Sequence, residues 1–186
     1  AANPMGNATL AAALKTLKRL QEKHNGVIET SDMKRDEQRA VLVDTGFLRF
    51  VMKGWYICSS PSDNDGDTTA WYASFWPFVS GYLGKRFGKR YCLNPEASLM
   101  LHTGNTTVPR QVTCVTIDSS TAKVDLPFDT SLLVYPDKNR VPSARVAVRG
   151  LQVWPVAEAL CLVGPSFFVN NPREAEIALA TIRHAS

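Results

Sequence analysis

The chain contains 186 residues, a length that accommodates one domain or two small ones. Its hydrophobic fraction of 45% supports a buried core, and the absence of a run of about 18 apolar residues excludes a membrane-spanning helix. The net charge is +4, and most of it lies in the first 60 residues, where nine lysines and arginines oppose six acids. Such a basic third fits a surface that binds nucleic-acid phosphates, and it equally fits a slightly cationic solvated surface.

The four cysteines are scattered and form no C-x-x-C pair, which disfavours a zinc ribbon. We expect reduced, mostly buried thiols, with a single disulfide as the alternative. The sequence also starts without the basic and apolar segments of a secretory signal, so we expect a cytoplasmic protein. The cysteines are Cys58, Cys92, Cys114 and Cys161.

The first predicted helix runs from Asn7 to about Lys23, because leucines recur along one face at helical spacing. Its basic residues lie on the opposite face. We interpret it as an amphipathic helix that packs on the core.

The segment from Gly26 to Ile57 is the most informative about function. The oxygens of Thr30-Ser31-Asp32 predict the start of a short helix, and Asp36–Asp44 predicts a second one. Aromatic and β-branched residues around a Gly-containing turn then predict a β-hairpin over 47–57. Helix, helix and hairpin is the order of a winged helix-turn-helix, in which the hairpin is the wing.

This segment resembles the N-terminal domain of AbiEi-type antitoxins, which are winged-helix transcriptional regulators of toxin–antitoxin operons. Lys53 stands where arginine is common in the family. The resemblance implies binding to double-stranded DNA, repression of the protein's own operon, and a cognate toxin as a protein partner. The family pattern G-L-x-R-x-x-R-G-x-Y is represented here by Gly46, Leu48, Arg49, Lys53, Gly54 and Tyr56.

On this interpretation, the helix Asp36–Asp44 enters the major groove of DNA. Arg35, Gln38 and Arg39 share one predicted helical face, where arginine would read guanine and glutamine would read adenine. Phosphate contacts are expected from cations next to the helix and in the hairpin. The predicted DNA-binding residues are therefore Lys34, Arg35, Gln38, Arg39, Arg49 and Lys53.

The segment Ser59–Asp67 is rich in Ser, Asp, Pro and Gly, which is typical of a linker. We therefore expect a winged helix-turn-helix domain over residues 7–58 and an AbiEi-like α+β domain over 67–183. The run D-N-D-G-D lacks the spacing of a calcium-binding loop and has no acid at its twelfth position, so no metal is expected.

The second domain is predicted to begin with a buried aromatic helix over 68–88, interrupted or kinked at Pro77. Asn94-Pro95-Glu96 predicts the start of another helix that ends near Gly104. Period-two segments then predict a small, mainly antiparallel sheet, giving an α+β fold. The predicted strands lie within 111–117, 123–126, 131–135 and 145–154, and two further helices within 155–162 and 172–182.

The resemblance extends into this region. Glu96-Ala97-Ser98-Leu99, 102–111 and 150–156 resemble the AbiEi-like C-terminal domain. The runs G-D-T-T-A-W-Y-A-S-F-W (66–76) and N-P-R-E-A-E-I-A-L (171–179) are closer still to the N-terminal region of some bacterial Fic-family proteins, where they precede an AMP-transferring domain.

Motifs for catalysis are absent from the sequence. It contains no Fic motif H-x-F-x-[DE]-G-N-G-R, no G-x-S-x-G elbow, and no Walker A or G-x-G-x-x-G loop. His102 is one turn from Ser98 and is interpreted as a structural histidine. We expect a DNA-binding protein that is not an enzyme and has no cofactor. The alternatives are a module that restrains a toxin and a non-catalytic accessory domain of a Fic-type enzyme.

Overall fold

The computed structural model describes residues 4–117 and 121–185, and it has the expected α+β class. The chain divides into two compact units, residues 1–78 and 79–186, called here the first and the second unit. The division falls inside helix α3 (Thr69–Phe87), which runs through Pro77, and not in the predicted linker. The domain ranges 7–58 and 67–183 remain predictions. Within the described residues, no helix combines the length and apolar character that crossing a membrane requires.

The first unit contains two helices and a three-stranded antiparallel sheet in the order β1-β3-β2, followed by the first half of α3. The predicted short helix at Thr30 is wrong. Asp32 instead closes a turn, because its Oδ2 accepts a hydrogen bond from Glu29 N (3.1 Å) while its own N donates to Glu29 O (2.9 Å). The elements are α1 Pro4–His24, β1 Val27–Glu29, α2 Asp36–Asp44, β2 Leu48–Met52 and β3 Trp55–Cys58.

Both faces of this sheet are packed. Strand pairing places Ile28 and Leu48 on one face, where they join a core cluster with Leu17 of α1 and Leu42 of α2. On the other face, the ring of Trp55 meets the ring of Phe78 of α3, with centroids 5.6 Å apart. This packing explains why the first half of α3 belongs to the first unit.

Within its described residues, the second unit contains two sheets, and the larger one has the strand order β4-β5-β7-β6. The central pair β5–β7 is parallel, while the outer pairs β4–β5 and β6–β7 are antiparallel, as in the expected mainly antiparallel sheet. The predicted strand over 145–154 is two strands, joined by a turn in which Arg149 (φ 52°) and Gly150 (φ 77°) are left-handed. The strands are β4 Tyr91–Leu93, β5 Gln111–Thr116, β6 Ala122–Leu126, β7 Thr130–Pro136, β8 Val146–Val148 and β9 Leu151–Val153.

Four helices of the second unit share an apolar cluster around Leu99 and Phe167. Asn94 caps the first of them, since its Oδ1 accepts a hydrogen bond from Ala97 N at 2.8 Å. The third of these helices, Pro165–Asn170, was not predicted from the sequence. The helices are α4 Pro95–His102, α5 Val156–Leu162, α6 Pro165–Asn170 and α7 Pro172–Ala185, and a 3-10 helix spans Lys138–Arg140.

His102 and Ser98 fasten the chain after β9 to α4. His102 Nε2 lies 2.7 Å from Trp154 O, and Trp154 N donates to Ser98 Oγ at 3.0 Å. Both side chains are engaged with backbone atoms, so the geometry agrees with the interpretation of His102 as a structural histidine.

Candidate nucleic-acid interface

The six predicted DNA-binding residues lie in the first unit, but the structure separates them into two groups. Lys34, Arg35 and Lys53 are exposed. The remaining three, Gln38, Arg39 and Arg49, are buried or bound to other parts of the same unit.

Gln38 and Arg39 point into the protein. Gln38 and Leu42 are four residues apart, so their side chains lie on the same side of α2. Gln38 is 8% exposed and Leu42 is 0% exposed. The Arg39 side chain is 12% exposed, and its guanidinium donates to Met33 O and to a carboxylate oxygen of Asp36. The expectation that these side chains emerge with Arg35 on one exposed face is therefore wrong. Their role in DNA binding stays a prediction.

The exposed face of α2 is acidic. Ala40 and Val43 separate its charged residues, and Val43 is 37% exposed. A face of this kind opposes the approach of a phosphate backbone. Its acids are Glu37, Asp44 and Asp36, of which Asp36 is paired with Arg39.

Arg49 holds the loop that follows the hairpin. Its Nη1 donates to Asp67 O at 2.9 Å and its Nη2 to Asn64 O at 3.4 Å. Asp67 also begins α3, since its Oδ1 accepts from Thr69 N at 2.8 Å. Hydrogen bonds from Thr69 lower the pKa of the Asp67 carboxyl, and the positive charge of Arg49 lowers it further. Arg49 is thus already occupied within the fold.

The tip of the hairpin is tied to the end of β1. The pairing of Met52 with Trp55 leaves Lys53 and Gly54 as the turn, in which Gly54 has φ 88°. Gly54 O accepts a hydrogen bond from Thr30 N at 2.9 Å. Strand β1 therefore runs beside the hairpin as far as its turn, and the hairpin does not project beyond the sheet.

The three exposed cations lie close in the chain to this hydrogen bond. Lys53 adjoins Gly54, and Lys34 and Arg35 follow Thr30 by a few residues, immediately before α2. We call these three residues, Lys34, Arg35 and Lys53, the tip corner. It is the part of the predicted site that remains available to a partner.

Two exposed features of the first unit were not assigned to a site from the sequence. Helix α1 carries exposed cations at spacings of three and four residues, a signal already present in the sequence. Phe50 is 56% exposed, with its ring edge-to-face against Tyr56 at 5.8 Å. The exposed cations of α1 are Lys15, Lys18, Arg19 and Lys23, with Glu22 among them.

Among residues 4–117 and 121–185, no group of three or more His, Cys, Asp or Glu side chains is placed to hold a metal ion. Comparison of the sequence with protein-family models finds no match, and comparison with curated proteins finds none either. The resemblance to AbiEi-type antitoxins therefore rests on the sequence patterns described above.

Proposed function

We propose that the first unit is a winged-helix DNA-binding module and that the protein is an antitoxin-like transcriptional regulator of its own operon. The order α1, β1, α2, β2, β3 supports this proposal, because it matches a winged helix in which a turn at Thr30–Met33 stands in the place of one helix. The pairing of β1 with the second hairpin strand supports it further.

The tip corner is the observation that carries the proposal. Lys34, Arg35 and Lys53 are exposed, whereas Arg39 and Arg49 use their donors within the fold. In this mode of binding, Lys34 and Lys53 contact phosphates and supply affinity that falls with salt. Arg35, at the beginning of α2, is the predicted base reader that remains exposed. The acidic face of α2 stays outside the groove.

The proposal is tested with the full chain, the DNA upstream of its gene, and a scrambled duplex of equal length. Binding is measured by fluorescence anisotropy over a series of salt concentrations. The double substitution Lys34→Ala and Lys53→Ala should weaken binding to both duplexes and reduce the slope of log K against log salt by about two. Lys123→Ala, at an exposed lysine of the second unit, is the matched control. Unchanged binding by the double variant at every salt concentration would show that the tip corner makes no DNA contact.

The acidic face of α2 favours a second candidate, a module that restrains a toxin by direct contact. The exposed residues of α2 include Glu37 and Asp44 with the aliphatic Val43, and this combination suits a basic protein surface better than DNA. Charge reversal separates the two candidates. Glu37→Lys should leave DNA binding equal or stronger if the tip corner binds phosphate. It should weaken a protein complex by about tenfold if α2 is the interface.

A further inference from the structure

The second unit contains a cavity of about 480 Å³, formed entirely by residues of that unit. This volume lies in the range of small-molecule binding sites. Its lining comes from strands β5 and β7, the beginning of α4, the chain after β9 and the end of α5, and the 3-10 helix contributes the mostly exposed Arg140 at its rim. The lining residues used below are Thr113, Val115, Tyr135, Trp154, Leu162 and Arg140.

The lining is mainly apolar and aromatic. Strand pairing places Val115 beside Tyr135 and on the same face of the sheet as Thr113. Trp154 and Leu162 complete the lining with an indole ring and an aliphatic side chain. Cys114 also borders the cavity, but its side chain alternates with those of Thr113 and Val115 and therefore lies on the opposite, buried face of the sheet. The interior therefore offers surfaces for a flat ring without a negative charge that would repel an acid.

A cation stands at the rim. The Arg140 side chain is 71% exposed, and its Nε lies 3.2 Å from Asp137 Oδ2. Asp137 Oδ1 accepts a hydrogen bond from Asn139 N at 3.1 Å, so the same carboxylate holds the 3-10 turn and one edge of the guanidinium. With Lys138, this short segment carries two cations against one acid, a net charge of +1. The Nη edge of a guanidinium matches a carboxylate in geometry as well as in charge.

We propose that this cavity binds a small, flat aromatic acid, with its ring between Trp154 and Tyr135 and its acidic group on Arg140. The inference goes beyond DNA binding, because every residue that it uses lies in the second unit. Its test does not depend on whether the tip corner binds DNA.

The test compares 1-naphthoate with its neutral isostere 1-naphthamide as probes of the full-length chain. Binding is followed by calorimetry and by two-dimensional NMR. Wild-type protein should bind the naphthoate about tenfold more tightly than the amide, because only the acid forms a charge-assisted contact with the guanidinium. Arg140→Gln should remove this preference and leave the affinity for the amide unchanged. Arg149→Gln, at an exposed arginine of the β8–β9 turn, is the matched control and should retain the preference.

A second variant tests the cavity itself. Thr113→Phe places a ring in the space above the sheet and should weaken both probes by tenfold or more, with thermal unfolding as the check that the chain is folded. Arg140→Gln changes a mostly exposed side chain, so it decides the question even if Thr113→Phe does not fold. Three results would overturn the proposal: no saturable binding of either probe, equal affinity of the wild type for both, or a preference for the acid that survives Arg140→Gln.

Discussion

The three-stranded sheet of the first unit and the four-stranded sheet of the second differ in how their faces are used. In the first, α1 and α2 cover one face and the first half of α3 meets the other. In the second, Cys114 and Val134 form part of a fully buried face, while Thr113 and Tyr135 line a cavity on the opposite face. A sheet packed on both faces leaves only its turns and edges for binding. A sheet with one open face can bind a ligand on its surface.

The strand sequences account for part of this difference. Strand β3 begins Trp-Tyr-Ile without a polar residue, and such a continuous apolar run fits burial on both faces. Strand β5 begins with Gln111, Val112, Thr113 and Cys114, so polar and apolar side chains alternate. Alternation of this kind buries one face and leaves the other partly accessible.

The largest predicted effect removes a fully buried ring from the first half of α3, the helix that meets one face of the first sheet. Phe75→Ala should lower the free energy of unfolding by about 3–5 kcal/mol, because Phe75 is fully buried in the first half of α3, and its ring lies edge-to-face with Trp71. Tyr72→Ala, on the exposed side of the same helix, should cost much less. Denaturant unfolding measures both. Equal, small losses would mean that the buried side of α3 contributes little to the stability of the first unit.

Arg39→Ala is expected to lower stability by about 2–3 kcal/mol, because it removes hydrogen bonds from a largely buried guanidinium to Met33 O and Asp36. Arg35→Ala, at an exposed neighbour, should change stability by less than about 0.5 kcal/mol. Unfolding and DNA binding are measured for both variants. If Arg39→Ala retained full stability but lost DNA binding, the arginine would act as a base reader after all.

Alkaline pH should destabilise the four-stranded sheet of the second unit, because two of its buried residues are cysteines. Burial raises the pKa of Cys92 and of Cys114 to about 12, from an ordinary value of 9.0. The unfolded thiols ionise above pH 9 while the folded ones stay protonated, so stability that is complete below pH 9 falls as the pH rises towards 12.

Each buried thiol should cost roughly 1–2 kcal/mol at pH 10. Replacing both cysteines with alanine should therefore reduce the loss of stability between pH 8 and pH 10 by about 2–3 kcal/mol. Cys161→Ala, at an exposed position, is the control. Denaturant unfolding at the two pH values provides the measurement. If the double variant had the same pH dependence as the wild type, the two thiols would be accessible to water in the folded protein.

The smallest predicted effect concerns the beginning of α4, beside the cavity. Asn94→Ala should cost about 1 kcal/mol, because it removes the acceptor for Ala97 N, and Asn94→Gly should cost less. Thermal unfolding compares the two variants. If they destabilised the protein equally, the side-chain cap would contribute nothing measurable.

The sequence alone determined the elements that are specified by local chemistry. Helix α2 has the predicted bounds, Asp36–Asp44, and the turn at Gly54 joins the predicted hairpin strands. Asn94 and Pro95 begin α4 as the capping pattern indicated. Capping side chains, a left-handed glycine and hydrophobic periodicity act within a few residues, so a single sequence contains all the information needed to place these elements.

The tertiary structure decided which side chains of those elements are available. Gln38 lies in phase with Leu42 and is buried, and Arg39 and Arg49 are occupied by Met33 O and Asp67 O. The parallel pairing of β5 with β7 likewise joins segments that are distant in the chain. Helical spacing fixes which residues share a face, but the neighbouring elements determine which face meets the core. For that reason the sequence located α2 and the hairpin, and the packing decided that only three of the six predicted residues, the cations of the tip corner, are exposed.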